Sequence, residues 1–144
     1  MAGTILVLNG PNLNLLGERE PAIYGTATLA DIEARCRAEA AAQGCTLEFR
    51  QTNAEHEMVA WIQAARTGHA GIVINPAAFS YAGYPVLDAL KLVDCPVIEV
   101  HLSNIHRRDE AWRKNSIITQ AVTAIVSGLG ADGYVLAVRH LASR

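Results

Sequence analysis

The chain is short of the residues that mark several large classes of protein. Cysteine is scarce: Cys36, Cys45 and Cys95 are odd in number and lack CxxC spacing. They fall within or at the edges of apolar segments, which argues against a structural disulfide and suits reduced packing thiols in a reducing compartment. Lysine occurs only as Lys91, in a segment of helical pattern, and Lys114, in a basic loop; a Schiff-base nucleophile therefore has no good candidate. Charge of one sign is also missing. The formal net charge is −2, and without a long basic run there is no footprint for nucleic acid or an anionic membrane. The short cluster Arg107, Arg108, Arg113 and Lys114 suits at most a small anion. The opening MAGTILVLNG has no charged leader region and only a short apolar run, so neither secretion nor membrane insertion is expected and the cytoplasm is the expected location. Gly10 and Gly17 lack the GK[ST] ending and the spacing of a nucleotide loop. His101 and His106 lack helical i, i+4 spacing and a carboxylate-rich surround, and His56, His69 and His140 stand alone. No metal and no cofactor are expected.

What is present is apolar and regularly punctuated. With 144 residues, 51% of them hydrophobic, the chain can bury a sizeable core, and a single domain over 1–144 is expected. Thr4 to Leu8 is a β-branched and leucine run that stops at Asn9-Gly10-Pro11, as a buried strand does when it empties into a loop. The loop Gly10 to Gly25 exceeds the dozen or so residues usual in compact domains, and such loops are commonly lids or binding loops. Thr28 and Asp31 resemble a capping box ahead of Leu29, Ile32, Cys36 and Ala40, a helix closed by Gly44.

Cys45 to Gln51 alternates as a strand near a sheet edge, and Asn53 is placed to cap a second helix carrying Met58, Trp61, Ile62 and Ala65. Ala70 to Ile74 and Cys95 to Val100 are continuous apolar runs, as in strands buried on both faces. Between them Pro85 to Val93 reads as a short helix with proline at or near its first position. Ala121 to Ser127 reads as a fifth strand and Gly133 to Ala142 as a closing helix. Alternating strands and helices predict an α/β fold: a flavodoxin-like three-layer sandwich with a five-stranded parallel sheet of order 2-1-3-4-5. Such sheets bind ligands beyond their strands' carboxyl ends, here Asn9 to Asn12, Asn75 to Tyr81 and His101 to Ser103.

Taken singly, Tyr24 reads as a packing aromatic, Arg19 between Glu18 and Glu20 as a solvated loop charge, and His101 as a satisfied core histidine. The surrounding words change that. LNGPNLNLLGEREPAIYG from Leu8, NPAA from Asn75, IEVHLSNIHRRDE from Ile98 and the closing GLGADGYVLAV resemble the signatures of type II 3-dehydroquinate dehydratases across essentially the whole chain. The resemblance implies a lyase that converts 3-dehydroquinate to 3-dehydroshikimate by anti elimination through an enolate, in aromatic amino-acid biosynthesis or quinate breakdown. It implies that Tyr24 is the general base, that Arg19 holds it as the phenolate, that Asn12 steadies the enolate through water, and that His101 protonates the departing hydroxyl.

Residue chemistry is compatible with these roles. Holding an ordinary tyrosine ionised at neutral pH costs about 4 kcal/mol, which a close guanidinium can largely offset. Fixed dipoles stabilise an enolate better than bulk water does, and a histidine is the usual donor near neutrality. Glu99 lies two residues before His101 on the same strand face and is placed to orient or charge the imidazole. The resemblance further assigns substrate binding to Asn75, to the backbone N–H groups of Leu102 and Ser103 with the Ser103 hydroxyl, a carboxylate nest, and to Asp88 from a neighbouring subunit. It implies homo-oligomers: trimers assembling into dodecamers around a small-molecule substrate.

Two departures fall on substrate recognition. The family reads NPAA, an aromatic, then Thr-His-Thr-Ser, whereas this chain reads NPAAFSYAGYP, placing Tyr81 where the family has a substrate-binding histidine and Ala82 and Gly83 where it has hydroxyls. Tyrosine donates and accepts but cannot become a cation. One extra residue in RRDEAWRKNS makes Arg113 the best match to the family's hydroxyl-binding arginine, with Arg108 the alternative. Tyr81 and Tyr84 divide between site wall and subunit contact. The same elimination on a related polyhydroxylated cyclic ketone, and a silent binding or assembly protein that kept the fold, are the competing readings.

Overall fold

The structure, a computed structural model, describes residues 3–144. Met1 and Ala2, part of the stretch whose pattern predicts no leader, lie outside the described residues. Strand β1 (Thr4–Asn9) is followed by a 3-10 turn (Leu13–Leu15) and a short helix α1 (Pro21–Tyr24). Helix α2 (Leu29–Ala42), β2 (Thr46–Gln51), α3 (Glu55–Ala64) and β3 (Gly71–Asn75) come next. Then follow α4 (Phe79–Ala82), α5 (Tyr84–Leu90), β4 (Val97–His101), three 3-10 turns (Ile105–Arg107, Ala111–Arg113, Ile117–Ala121), β5 (Ala124–Ser127) and α6 (Ala131–Ala142).

The five strands form one sheet in the order β2-β1-β3-β4-β5, with every neighbouring pair parallel. The fold is the expected flavodoxin-like α/β sandwich. Because successive side chains of a strand point to opposite faces, β1 divides its residues between two cores. Ile5 and Val7 join Ile32 and Cys36 of α2 and Tyr134 and Val138 of α6. Leu6 and Leu8 join Met58 and Ile62 of α3 and Val86 and Leu90 of α5. Each fully buried valine, leucine, isoleucine or methionine side chain among them stabilises the fold by about 1.5–3 kcal/mol. Cys36 is buried with them, and burial pushes its thiol up to about 12, so it stays a protonated packing group. No disulfide joins the three cysteines, and among the described residues no helix is long and apolar enough to cross a membrane.

Local expectations meet a mixed outcome. The capping box is present in both directions: the Asp31 N–H donates to Thr28 Oγ1 at 3.1 Å and the Thr28 N–H to Asp31 Oδ2 at 3.0 Å. Asn53, by contrast, does not cap α3. Ala54 is the N-cap residue, its N–H donates to Thr52 Oγ1 at 2.9 Å, and the Asn53 carboxamide turns away to accept from the backbone N–H of Asn12 at 3.0 Å. The fifth strand is shorter than Ala121 to Ser127, since Ile117–Ala121 coils into a 3-10 turn that buries Ile118. The helix around Pro85 starts at Tyr84 and ends at Leu90 rather than Val93, and the closing helix begins two residues before Gly133, at Ala131. The long loop is partly coiled, holding both Leu13–Leu15 and α1.

Candidate active site

Four strands end side by side at the carboxyl edge of the sheet, with Asn9 in register with Asn75 and His101 with Ser127. The loop after β1 folds back over this edge. Its entry is tight: the Gly10 N–H donates to the Asn75 carbonyl at 2.9 Å, and a Cβ at Gly10 would lie 2.2 Å from the Pro76 oxygen. Only glycine permits that approach. Asn12 then takes a left-handed conformation, φ 68°, which asparagine tolerates better than most residues, and buried Leu13 and Leu16 pin the loop to the core.

So anchored, the loop brings Arg19 and Tyr24 together. Arg19 Nη2 donates to the Tyr24 hydroxyl at 3.4 Å, and its guanidinium lies over the tyrosine ring, 4.5 Å from the centroid. A second cation, Arg108, donates to the same hydroxyl at 2.9 Å and to Ser103 Oγ at 2.9 Å. Arg108 is 84 residues from Tyr24 in the chain. It contributes to the phenol rather than standing in for a hydroxyl-binding arginine alone.

On β4, the His101 ring nitrogen Nε2 meets Glu99 Oε2 at 2.5 Å, and Thr119 donates to the other carboxylate oxygen at 2.6 Å. Glu99 is fully buried and His101 nearly so. Burial works to raise the Glu99 carboxyl, but hydrogen bonds from His101, Ser116 and Thr119, with the charge of His101, outweigh it and hold the carboxyl below the ordinary glutamate range. Ser116 and Thr119 were not legible as site residues: they lie after the inserted residue, in a segment to which the sequence pattern assigns no element.

These groups surround one cavity of about 170 Å³. Asn12, Arg19, Tyr24, Asn75, Tyr81, His101, Leu102, Ser103 and Arg113 all line it, with Arg108 and Trp112. Glu99 stands behind His101. Asp88 is the exception among the expected residues: it is exposed on α5 and absent from the wall. Tyr81 is a wall residue, packed edge to face on Trp112 with centroids 4.7 Å apart, while Tyr84 is 61% exposed. The Arg113 guanidinium lies over Trp112 at 4.7 Å. The Nε atoms of Arg108 and Arg113 are buried without a hydrogen-bond partner; that of Arg113 lies 3.4 Å from the Glu110 carboxylate, so the unmatched donor that an oxygen-rich ligand can use is that of Arg108. Neither lysine reaches the wall, and among the described residues no group of three or more His, Cys, Asp or Glu is arranged to hold a metal.

A phenol between two cations and a histidine backed by a carboxylate, set beyond the carboxyl ends of a parallel sheet, make this a doubly wound α/β protein with a site able to move protons on a small polar ligand. Comparison with known proteins narrows the class. The model of the family described as dehydroquinase class II matches residues 3–142, and the chain belongs to that family. It is 55% identical over 142 residues to a 3-dehydroquinate dehydratase of Methylobacterium radiotolerans, covering 99% of this chain and 95% of that one. It is 54% identical over 140 residues to a 3-dehydroquinate dehydratase of Streptomyces coelicolor, covering 96% and 88%. The solved structure of a type II dehydroquinase from Propionibacterium acnes superposes with a TM-score of 0.93 at 46% identity, covering 100% of this chain and 99% of the other.

Proposed function

We propose that the chain is a hydro-lyase that dehydrates 3-dehydroquinate to 3-dehydroshikimate by anti elimination through an enolate, using neither a metal nor a Schiff base. The observation that carries this reading is the convergence of Arg19 and Arg108 on the Tyr24 hydroxyl within the same cavity as His101. The phenolate of Tyr24, its charge met by the two guanidinium groups, takes the proton from the carbon beside the substrate ketone. The electron pair moves onto the ketone oxygen, where Asn12 and an ordered water stabilise it. Collapse of the enolate forms the carbon–carbon double bond and breaks the bond to the neighbouring hydroxyl, and His101 supplies the proton with which that group leaves as water. Glu99, Ser116 and Thr119 hold the imidazole in place. Tyr24 has then gained one proton and His101 lost one, and exchange through water restores both.

Asn75, Tyr81 and Arg113 bind ring hydroxyls, and Leu102 and Ser103 receive the carboxylate beside the Arg108 cation. The names carried by the relatives favour 3-dehydroquinate over another cyclic ketone and over a silent binding role; Tyr81, in this reading, replaces the family histidine with a neutral donor. The protein acts as a single domain over residues 1–144, in the cytoplasm, in aromatic amino-acid biosynthesis or quinate breakdown. It assembles as trimers within a dodecamer, with Asp88 reaching a neighbour's cavity.

The test is incubation of purified protein with 3-dehydroquinate while the enone absorbance of the product is followed. The expected result is turnover by the parent and its loss in Tyr24→Phe and His101→Ala. A folded parent that forms no enone overturns the substrate, and turnover that survives in both variants overturns the assignment of the proton-transfer residues.

A further inference from the structure

A buried hydrogen-bond chain runs behind the cavity and ends on Asn75. The Asn9 Nδ2 donates to the Arg50 carbonyl at 3.0 Å. The Tyr134 hydroxyl donates to Asn9 Oδ1 at 2.7 Å and accepts from Asn75 Nδ2 at 2.9 Å. The backbone N–H of Ala77 donates to Asn75 Oδ1 at 3.2 Å. Asn9 and Tyr134 are fully buried and Asn75 is 3% exposed, so no solvent substitutes for a missing partner.

The chain can be ordered in one sense only. Its two ends are main-chain groups of fixed character: a carbonyl at Arg50, which only accepts, and an N–H at Ala77, which only donates. Reversal would set the Asn75 amide against the Ala77 N–H, donor facing donor. A carboxamide in isolation has two flip states of nearly equal shape; here the flanking groups select one. Ala77 itself sits at φ 49°, a conformation alanine seldom adopts, and the Asn75 oxygen holds its N–H there. Burial also pushes the Tyr134 phenol upward, which keeps its proton available for Asn9.

We infer that Tyr134 is a positioning residue: through its hydroxyl it fixes the Asn75 carboxamide so that one amide N–H remains uncommitted for an oxygen of the substrate in the cavity that Asn75 lines. This deepens the reading of Asn75 as a substrate ligand and rests on it. Tyr134 touches neither the cavity nor any reacting atom, and Tyr134→Phe removes one oxygen while keeping the ring that fills the core.

The experiment compares steady-state kinetics on 3-dehydroquinate for the parent, Tyr134→Phe, Asn75→Ala and the double variant. Loss of one oriented hydrogen bond made equally in ground and transition states raises KM about tenfold with kcat within about threefold. In the Asn75→Ala background, Tyr134→Phe is expected to change KM no further. A Tyr134→Phe protein that melts lower but keeps the parental KM overturns the inference, as do KM effects that multiply in the double variant. If Asn75→Ala itself leaves KM unchanged, the substrate role of Asn75 fails and the inference with it.

A readout independent of turnover separates the two ideas: proton exchange of the isotope-labelled Asn75 side-chain amide. It is expected to quicken in Tyr134→Phe, and an unchanged rate sinks the positioning role whatever the substrate. Should Tyr134→Phe fail to fold, Asn9→Leu, which removes the acceptor that orders the phenol, takes its place with the same expected rise in KM, and parental KM in that variant overturns the inference.

Discussion

Tyr24 offers a single oxygen, and two guanidinium groups reach it from separate segments. Arg19 arrives at 3.4 Å and Arg108 at 2.9 Å, so the shorter contact belongs to the residue further away in the chain. Charge-assisted hydrogen bonds are the strong ones, and removing this one while keeping the side chain's bulk tests its weight. Arg108→Met is expected to lower kcat on 3-dehydroquinate about 10- to 100-fold, the loss of one hydrogen bond to a charged group. Arg113→Met is expected to act chiefly on KM. A kcat for Arg108→Met within about twofold of the parent in the same steady-state assay would remove Arg108 from the proton-transfer set.

Glu99 poses the matching question on the other wall. Its carboxyl lies below the ordinary range because the hydrogen bonds and His101 charge outweigh burial. A folded-state value below the unfolded one means that the stability contributed by the carboxylate is present in full above the unfolded value, about 4.3. It is lost as pH falls through the lower folded value. Glu99→Gln is therefore expected to melt below the parent at neutral pH, with a gap that narrows as the medium is acidified beneath about pH 4. A gap that stays constant from pH 7 to about pH 3 would show that the charge contributes nothing and that only shape is lost.

At the level of elements, what the sequence disclosed followed from local rules, and what it hid followed from contacts between distant segments. The α2 start was legible because a capping box lies within four consecutive residues, and the two central strands because double burial writes itself as an uninterrupted apolar run. Asn53 was misread as a cap because nothing local says that the Asn12 N–H, across the β1 loop, will claim its carboxamide while Thr52 serves Ala54. Ile117–Ala121 carries β-branched residues yet coils, since Ile118 finds burial against the α3 and α5 core without needing the sheet.

The site divides in the same way. The resemblance supplied Tyr24, Arg19, Asn12 and His101, and strand periodicity alone supplied the Glu99 pairing. Arg108 meeting Tyr24, Thr119 meeting Glu99, and the chain from Asn9 through Tyr134 to Asn75 each join separate elements, and no spacing rule reaches across such gaps.

At the scale of the whole molecule, the residue that does not fit the single chain is the most informative. Asp88 belongs to α5, whose Val86, Leu87, Ala89 and Leu90 are buried, leaving the aspartate exposed beside Tyr84 at 61% and near Leu92 at 59% exposure. A carboxylate flanked by exposed apolar side chains is suited to a contact between subunits, as its proposed place in a neighbour's cavity requires. If each cavity takes Tyr24 from one subunit and Asp88 from the next, Tyr24→Phe and Asp88→Asn chains are each deficient alone yet complementary when mixed. Random co-assembly in a closed ring pairs an intact Tyr24 with an intact neighbouring Asp88 in about a quarter of sites. Co-folded mixtures should then recover about a quarter of parental turnover, provided both single variants are impaired. Recovery is lost by necessity if both residues serve the same subunit, because every cavity then carries one defect, and a monomer in light scattering would remove Asp88 from the site altogether.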